Sequence, residues 1–341
     1  MSFLPNAPRM TMLKRVFLAL ALILILAASG FAWWAGSAIS PSKDSITFEI
    51  KPGSLGSVIT QLNNQGVPVN ATLFSLLARV TGNAARLKAG YYRMKPGESP
   101  SGLLEKLSKG LVSYESITIV EGWTFRQMRE ALAAHTGLAH DSANMTEQEL
   151  LKQLGITQGR AEGLFFPDTY LFTRGSSDMQ LYRQANARLM KKLDDCWQKR
   201  DSSLPYKTPY EALIMASIVE KETGHPEDRA MIAGVFTNRL KAGMKLQTDP
   251  TVIYGMGDKY KGVIYKSSLT TDTPYNTYTR FGLPPTPIAL PGEAAIRATF
   301  YPEKTNALYF VSRADGTGKS EFTTNLADHN KAVDKYLRNP Q

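Results

Sequence analysis

The sequence predicts an α+β protein with a single N-terminal transmembrane helix, a small α+β domain and a larger mixed α+β domain. Three observations lead to this prediction: an uncharged apolar stretch near the N-terminus, a strand, turn and helix pattern that recurs from residue 46, and helical segments separated by rigid loops after residue 160. The length of 341 residues also exceeds the usual range for one domain. We therefore expect more than one folded unit.

The composition narrows the class of protein. Hydrophobic residues make up 43% of the chain and charged residues 21%, a balance that argues against disorder and against a polytopic membrane protein. Cys196 is the only cysteine, so no intramolecular disulfide can form, and the four histidines show no metal-ligand spacing. We expect no metal and no cofactor. The net charge of +10 is spread along the chain and predicts no nucleic-acid partner.

The N-terminal segment has the pattern of a membrane anchor. Residues 1–15 carry three basic side chains and no acid, and residues 16–34 form an apolar run with no charge. A helix over that run is roughly 28 Å long, close to the thickness of a hydrocarbon core. The positive-inside rule makes 1–15 a cytoplasmic tail and places the chain after Trp34 outside, beginning with a linker over 35–45.

A cleaved signal peptide is the competing interpretation of this segment. The apolar region of a signal peptide usually runs for about 7 to 15 residues before a small-residue cleavage site. The longer run here favours an uncleaved anchor. A lipoprotein is disfavoured because no cysteine follows the run.

A strand, turn and helix unit recurs in the first exported segment. Ile46–Ile50 alternates like a strand, and a Lys-Pro-Gly turn leads into a helical pattern over Leu55–Asn64. The same order recurs at Tyr91–Met94, and a weaker third copy begins at Ile117. This order resembles the LysM fold, which binds the N-acetylated sugars of peptidoglycan and chitin. We predict a LysM-like domain over 46–116, with ordinary βα units packed on each other as the alternative.

A candidate acid lies at the end of an apolar helix. The stretch Ala212–Val219 runs directly into Glu220 and Glu222. In a helix, Glu220 shares a face with Ala216 and Ser217, and these small neighbours are expected to leave room for a substrate. Burial raises the pKa of a carboxyl group, so such a residue can act as a general acid near neutral pH.

Spacing alone leaves the identity and the role of this acid open. Glu222 lies on a different face, beside Ile218 and Val219, and is an equal candidate. A helix-end glutamate paired with Lys221 or Arg229 is the structural alternative.

Three rigid, polar loops follow the candidate acid: Leu246–Val252, Thr273–Tyr278 and Gly282–Ile288. Their short amide, hydroxyl and aromatic side chains suit a sugar groove, since sugar hydroxyls need hydrogen bonds and sugar faces need flat apolar partners. We predict groove-lining or loop-fixing roles, as a substrate-binding set, for Gln247, Asp249, Tyr275 and Asn276.

Five motifs in order resemble one family. They are Glu-Gly-Leu-Phe-Phe-Pro-Asp-Thr-Tyr from residue 162, Ala-Ser-Ile-Val-Glu-Lys-Glu ending at 222, Leu-Gln-Thr-Asp-Pro-Thr-Val from 246, Pro-Tyr-Asn-Thr-Tyr from 274 and Gly-Leu-Pro-Pro-Thr-Pro-Ile from 282. Together they look like the signatures of the endolytic murein transglycosylases, the YceG-like (MltG) family. By this resemblance Glu220, and not Glu222, matches the catalytic glutamate, and 117–341 is the catalytic domain.

The resemblance also implies an activity. The family cleaves the bond after N-acetylmuramic acid inside peptidoglycan glycan strands and leaves a 1,6-anhydro end, as a lytic transglycosylase, a carbon-oxygen lyase acting on a polysaccharide. It implies a place in the inner (plasma) membrane with a periplasmic catalytic domain, and peptidoglycan synthases as candidate partners. The alternative function is a membrane-tethered peptidoglycan-binding or scaffold protein without catalysis.

Overall fold

A computed structural model describes residues 12–39, 44–222, 225–313 and 315–338. The chain divides into two compact units, Met1–Glu115 and Ser116–Gln341. Helices alternate with short two-stranded sheets. The prediction of a mixed α+β protein is therefore confirmed.

Helix α1 (Met12–Gly36) is the one helix among the described residues that is long and apolar enough to cross a membrane. It extends past the predicted span of 16–34 at both ends. Ala35 is buried, and its carbonyl oxygen accepts a 2.8 Å hydrogen bond from the Ser101 hydroxyl. The Ile39 N–H donates to the carbonyl oxygen of Glu98 at 2.9 Å. The predicted linker over 35–45 thus begins with residues held against the first unit, and its residues 40–43 lie outside the described part.

The first unit pairs strand β1 (Ile46–Ile50) with strand β2 (Gly90–Met94) in antiparallel register. Phe48 faces Tyr92 across the pair, and their stacked rings lie 5.8 Å apart at the centre of an apolar core. The core is completed by three helices: α2 (Leu55–Asn64), α3 (Ala71–Val80) and α4 (Pro100–Lys109). Each of these helices begins after a Ser or Asn whose side chain accepts a backbone N–H of the first turn.

The second unit is mostly helical. Two two-stranded sheets belong to this part of the chain. Strand β3 (Tyr114–Thr118) pairs with β4 (Thr169–Thr173), and β5 (Tyr309–Ser312) pairs with β6 (Ser320–Thr323) in antiparallel register. Its helices are α5 (Phe125–Ala134), α6 (Glu147–Leu154), α7 (Asp178–Gln198), α8 (Pro209–Glu222), α9 (Arg229–Lys241), α10 (Asp249–Met256), α11 (Lys266–Thr270), α12 (Glu293–Phe300) and α13 (Leu326–Arg338).

Helix α8 lies at the centre of the second unit. Every residue of Ala212–Val219 is buried, so the helix is enclosed on all sides. Helices α7, α9, α10 and α12 all contact it. Its C-terminal end, which carries Glu220, is therefore held in place by several neighbouring elements.

Two of the sequence motifs meet at a close backbone approach. Gly163 has a φ of +77°, and a side chain at this position would place its Cβ 2.3 Å from the Cβ of Pro287. No residue but glycine combines that backbone conformation with that space. Gly163 therefore joins the loop before β4 to the Pro-rich loop before α12.

We expect Gly163→Ala to destabilise the protein more than Gly155→Ala. Both glycines have a positive φ, which costs an alanine about 1 kcal/mol, but nothing lies within 4 Å of the Cβ position at Gly155. The clash with Pro287 adds roughly 1–3 kcal/mol to the loss of unfolding free energy at Gly163. Chemical denaturation of the full-length protein in detergent measures the difference. Equal losses for the two variants would contradict the close packing.

Candidate active site

Glu220 lies in the last turn of α8, where the helix leaves the core. One of its carboxyl oxygens, Oε2, accepts a 3.0 Å hydrogen bond from the backbone N–H of Gly292, the residue that precedes α12. Within the described part of the chain, no hydrogen-bond donor reaches the other oxygen. The side chain is partly exposed, so this second oxygen is available to a ligand.

The turn after β3 forms one wall beside Glu220. The Gly122 N–H donates to the carbonyl oxygen of Leu290 at 2.9 Å, and the Leu290 N–H donates to the carbonyl oxygen of Trp123 at 2.7 Å. The Lys221 ammonium group donates to the carbonyl oxygen of Gly122 at 3.2 Å. These three bonds hold the turn against both the end of α8 and the loop before α12.

Ser217 has a structural role that its sequence position did not reveal. Its hydroxyl accepts a 2.9 Å hydrogen bond from the Ile288 N–H and donates to the Ile214 carbonyl oxygen at 2.7 Å. Ser217 and Ala216 are completely buried. The expectation that these small residues leave room for a substrate is therefore wrong, because the loop that contains Ile288 packs against this part of the helix.

The surroundings of Glu220 favour its protonated form. Burial raises the pKa of its carboxyl group above the ordinary value, and the hydrogen bond from Gly292 lowers it only in part. Three charged groups also act on Glu220: Glu121 raises the pKa, whereas Arg229 and Lys221 lower it. A carboxyl group of this kind can donate a proton at a higher pH than an exposed glutamate.

Burial also affects Glu222, but the carboxyl group of this residue accepts a hydrogen bond from a side chain of the protein, the Thr248 hydroxyl. Burial raises the pKa of Glu222 to about 7, against the opposing effect of a 2.6 Å hydrogen bond from the Thr248 hydroxyl. Asp249 raises this pKa further and Arg239 lowers it. The direction of the pKa shift therefore does not distinguish Glu220 from Glu222. Both side chains are partly exposed, and the hydrogen bond from the Thr248 hydroxyl is the observation that suits Glu222 to a structural role.

A cleft of about 530 Å³ opens beside the end of α8. Lys221 lines it together with the aromatic rings of Tyr254 and Tyr275 and the side chain of Ile288. Glu220, one residue before Lys221, borders this cleft and is not among its lining residues in the described chain. The two rings pack edge to face with their centroids 4.8 Å apart. The lining also includes polar and charged side chains: Thr124, Arg126, Glu147, Arg160 and Glu162. The combination of flat apolar rings and polar groups suits a carbohydrate.

Glu162 lies in the wall of this cleft and is nearly buried. Its two carboxyl oxygens accept hydrogen bonds from the Phe125 N–H at 2.9 Å and from the Tyr254 hydroxyl at 3.1 Å. Burial raises the pKa of Glu162 to about 7, and these two bonds offset the effect only in part. Because both oxygens are occupied, Glu162 is better placed to hold α5 and α10 together than to transfer a proton.

Tyr275 and Asn276 have different positions although they are adjacent. Tyr275 is half-buried in the cleft wall, and its hydroxyl lies 2.9 Å from the Thr286 hydroxyl. Asn276 is buried, and its amide nitrogen donates to three carbonyl oxygens of the chain before it, the shortest bond being 2.7 Å to Thr271. Asn276 therefore fixes the loop, whereas Tyr275 faces the cleft.

Gln247 and Asp249 are exposed and, among the described residues, are not part of the cleft lining. Gln247 has a φ of +50°, a strained value for a residue with a side chain, and its N–H donates to the carbonyl oxygen of Thr277 at 3.2 Å. Asp249 begins α10 and accepts a 2.6 Å hydrogen bond from the Tyr278 hydroxyl. Both residues thus border the loop next to Glu222.

Sequence reasoning missed two acids at this site, Glu121 and Glu162. Each lies in a turn that is distant along the chain from α8, and only the packing of the second unit brings it close. Glu162 is the first residue of the Glu-Gly-Leu-Phe-Phe-Pro-Asp-Thr-Tyr motif, but nothing in the spacing of that motif reveals that Glu162 is buried.

We expect the stability of the protein to fall as the pH rises from about 4.5 to about 7 because of Glu162. Over this range the unfolded chain releases the proton at the ordinary pKa of 4.5, whereas the folded protein retains it up to a pKa of about 7. Glu162→Gln should remove this loss, so its unfolding free energy should rise relative to wild type between pH 5 and 8. Denaturant titrations at several pH values test this.

Glu149→Gln is the matched control for the Glu162 experiment. Glu149 is exposed, and its hydrogen bonds from Thr146 lower the pKa of its carboxyl group. Its contribution to stability is present above its unfolded pKa and is lost only in acid. The difference between Glu149→Gln and wild type should therefore stay constant above pH 5, and a constant difference for Glu162→Gln as well would contradict the buried state of Glu162.

Known proteins match most of the chain. The family model described as the YceG-like family matches residues 48–335. A Bacillus subtilis (strain 168) protein named endolytic murein transglycosylase is 32% identical over 314 residues, which cover 87% of this chain and 86% of the relative. A Streptococcus pneumoniae (strain D39) protein of the same name is 32% identical over 330 residues, which cover 87% of this chain and 59% of that longer protein.

A solved structure matches over a similar extent. The crystal structure of a YceG-like protein from Listeria monocytogenes aligns with a TM-score of 0.53 and 32% identity, covering 85% of this chain and 99% of the other. The family model and these relatives confirm the resemblance that the five motifs indicated. The chain belongs to the YceG-like family.

Proposed function

We propose that this protein is a membrane-anchored lytic transglycosylase that cleaves peptidoglycan. It cuts the bond between N-acetylmuramic acid and N-acetylglucosamine inside nascent glycan strands, leaves 1,6-anhydro-N-acetylmuramic ends and so limits strand length. The names of the relatives from B. subtilis and S. pneumoniae support the activity on murein. The match to the B. subtilis relative extends over most of both chains, which supports transfer of the whole activity.

The observation that carries the proposal is the environment of Glu220. A partly exposed carboxyl group with a raised pKa stands at the end of a buried helix, next to a cleft with aromatic walls. One carboxyl oxygen is oriented by Gly292, and in the described part the other receives no hydrogen bond. These are the properties that a general acid needs.

A single acid of this kind can carry out both steps of the reaction. Glu220 first donates its proton to the oxygen of the glycosidic bond as that bond breaks. The resulting carboxylate then accepts the proton of the C6 hydroxyl, while that hydroxyl attacks C1 of the same sugar and closes the anhydro ring. The raised pKa assists both steps, because the proton is present at the start and the carboxylate is a stronger base afterwards. No water enters the product.

The proposed substrate contacts follow from the cleft. Tyr275 offers an aromatic face to the sugar, while Gln247 and Asp249 are proposed to act from the exposed edge of the neighbouring loop. Asn276 contributes by fixing that loop.

The first unit is proposed to have two roles. Its LysM-like segment holds the glycan strand. Helix α1 anchors the protein in the inner membrane with its N-terminus in the cytoplasm. This arrangement would keep the catalytic domain in the periplasm, near the synthases.

A peptidoglycan-binding protein without catalysis is the other function to test. It has no need of an acid held in a partly buried, protonated state. The names of the relatives favour the enzyme.

We expect Glu220→Gln to reduce glycan cleavage by at least about 100-fold, because the variant keeps the shape of the side chain and loses its proton. Glu222→Gln should retain activity within about tenfold of wild type, since a glutamine oxygen can still accept the Thr248 hydrogen bond. Turnover of purified glycan strands by the full-length protein in detergent measures both. The opposite order of activities would assign the acid to Glu222.

Digestion of intact glycan strands in ¹⁸O-labelled water should yield internal cuts with 1,6-anhydro ends and no label. The C6 hydroxyl replaces water as the nucleophile in the proposed reaction, so mass spectrometry should find the solvent isotope absent from the new ends. Labelled reducing ends would identify a hydrolase. Intact strands together with retained binding would identify a binding protein.

A further inference from the structure

The side chains of Glu121 and Glu220 both contact the backbone of Gly292. A methyl group at the Cα of Gly292 would lie 2.0 Å from Oε1 of Glu121 and 2.2 Å from its Cδ, so the carboxyl group packs directly against that glycine. The N–H of the same glycine donates to Glu220. Gly292 is thus in contact with two carboxyl groups that are far apart along the sequence of the second unit.

The position of Glu121 is determined by its neighbours. The next two residues, Gly122 and Trp123, exchange two backbone hydrogen bonds with Leu290, and Lys221 donates to the carbonyl oxygen of Gly122. The segment that carries Glu121 therefore runs alongside the loop that carries Gly292. This geometry holds the Glu121 carboxyl group on one side of Gly292, with Glu220 hydrogen-bonded to the same residue.

The charge of Glu121 opposes the loss of a proton from Glu220. Two like charges close together in a partly buried site repel, so a carboxylate at Glu121 favours a neutral carboxyl group at Glu220. The cations that face Glu220 are Arg229 on α9 and Lys221 on α8, and both act in the opposite direction. Lys221 is already engaged with a carbonyl oxygen. Glu121 is the one acid whose charge is found to raise the pKa of Glu220 in the described chain.

We propose that Glu121 is a positioning residue for the acid step, holding Glu220 in its protonated form, and that the absence of a side chain at Gly292 lets both carboxyl groups approach the same backbone position. This inference rests on the proposed transglycosylase function. Glu121 acts through Glu220 and through Gly292. The reaction therefore still depends on one proton donor, but a second carboxyl group sets the pH range in which that donor works.

The pH dependence of cleavage tests the role of Glu121. Removing its negative charge with Glu121→Gln lets Glu220 ionise at lower pH, so the alkaline limb of the activity profile should move to lower pH. We expect roughly three- to tenfold less activity than wild type on the alkaline side and nearly equal activity on the acidic side. A merely structural role would lower activity at every pH.

Glu293→Gln is the matched control. Glu293 directly follows Gly292, but its exposed carboxyl group pairs with Lys192 at 2.6 Å and is not among the groups that shift Glu220. Its profile should coincide with that of wild type. A shift equal to that of Glu121→Gln would mean that any nearby negative charge has the same effect, which would overturn the specific role of Glu121.

Gly292→Ala tests the close approach. The backbone of Gly292 has a φ of −76°, which suits alanine, so the clash with Glu121 is the expected cause of any defect. The added methyl group should push the Glu121 carboxyl group away from this position, so the alkaline limb of the Gly292→Ala profile should move to lower pH as it does in Glu121→Gln, with activity on the acidic side close to that of wild type. In the double variant with Glu121→Ala the space is vacated, and its profile should match that of Glu121→Ala alone. A Gly292→Ala profile that coincides with that of wild type would overturn the proposal.

The outcomes separate this inference from the proposed function. Full activity of Glu220→Gln would refute the assignment of the acid, whatever Glu121 does. An unchanged pH profile in Glu121→Gln, with Glu220 still essential, would refute only the role of Glu121. A folded Glu121→Gln protein that is inactive at every pH would also overturn the proposal, because Glu121 would then be needed for more than the protonation of Glu220. Circular dichroism of each variant establishes that it is folded.

Discussion

The burial of α8 is the constraint on which the second unit depends. Eight successive residues, Ala212–Val219, are removed from water, and the helix then ends in two glutamates at the edge of the same core. Burying a carboxyl group disfavours its charged form, so the packing around the helix end favours the protonated form of these glutamates. The Gly292 N–H limits this effect at Glu220 and orients its carboxyl group. The raised pKa of Glu220 is thus a consequence of how the core is packed.

Distant loops reach this helix end through a few specific contacts. Ser217 ties α8 to Ile288, and Gly163 packs on the neighbouring Pro287. Gly122 and Leu290 join the turn after β3 to the start of the α12 region. Because each contact uses a backbone group or a glycine, a side-chain change there would displace a whole loop. The three segments therefore form one continuous wall beside the cleft, which suits the proposed binding of a sugar ring in a defined orientation.

The sequence allowed a good prediction of what is local and a poor one of what is assembled. The apolar run before Glu220 predicted a helix ending in an acid, and the recurring strand and helix order corresponds to observed elements. The hydrogen bond from the Ile288 N–H to the Ser217 hydroxyl could not be predicted, because it joins two distant segments whose approach depends on the packing of the whole unit. Glu121 was unremarkable in the sequence for the same reason. Spacing within one helix carries information about that helix alone.

The two glutamates at the end of α8 have different surroundings, although they are only two residues apart. Gln247 adopts a positive φ, and its N–H donates to the carbonyl oxygen of Thr277. The next residue, Thr248, then lies against Glu222 and donates a hydrogen bond to it. That contact fixes Glu222 beneath the loop. Glu220, two residues earlier, points along another face of the helix, where a backbone N–H holds a single oxygen. The strained loop thus engages one carboxyl group through the Thr248 hydroxyl, whereas the other meets a backbone N–H on a different face of the helix, beside the cleft.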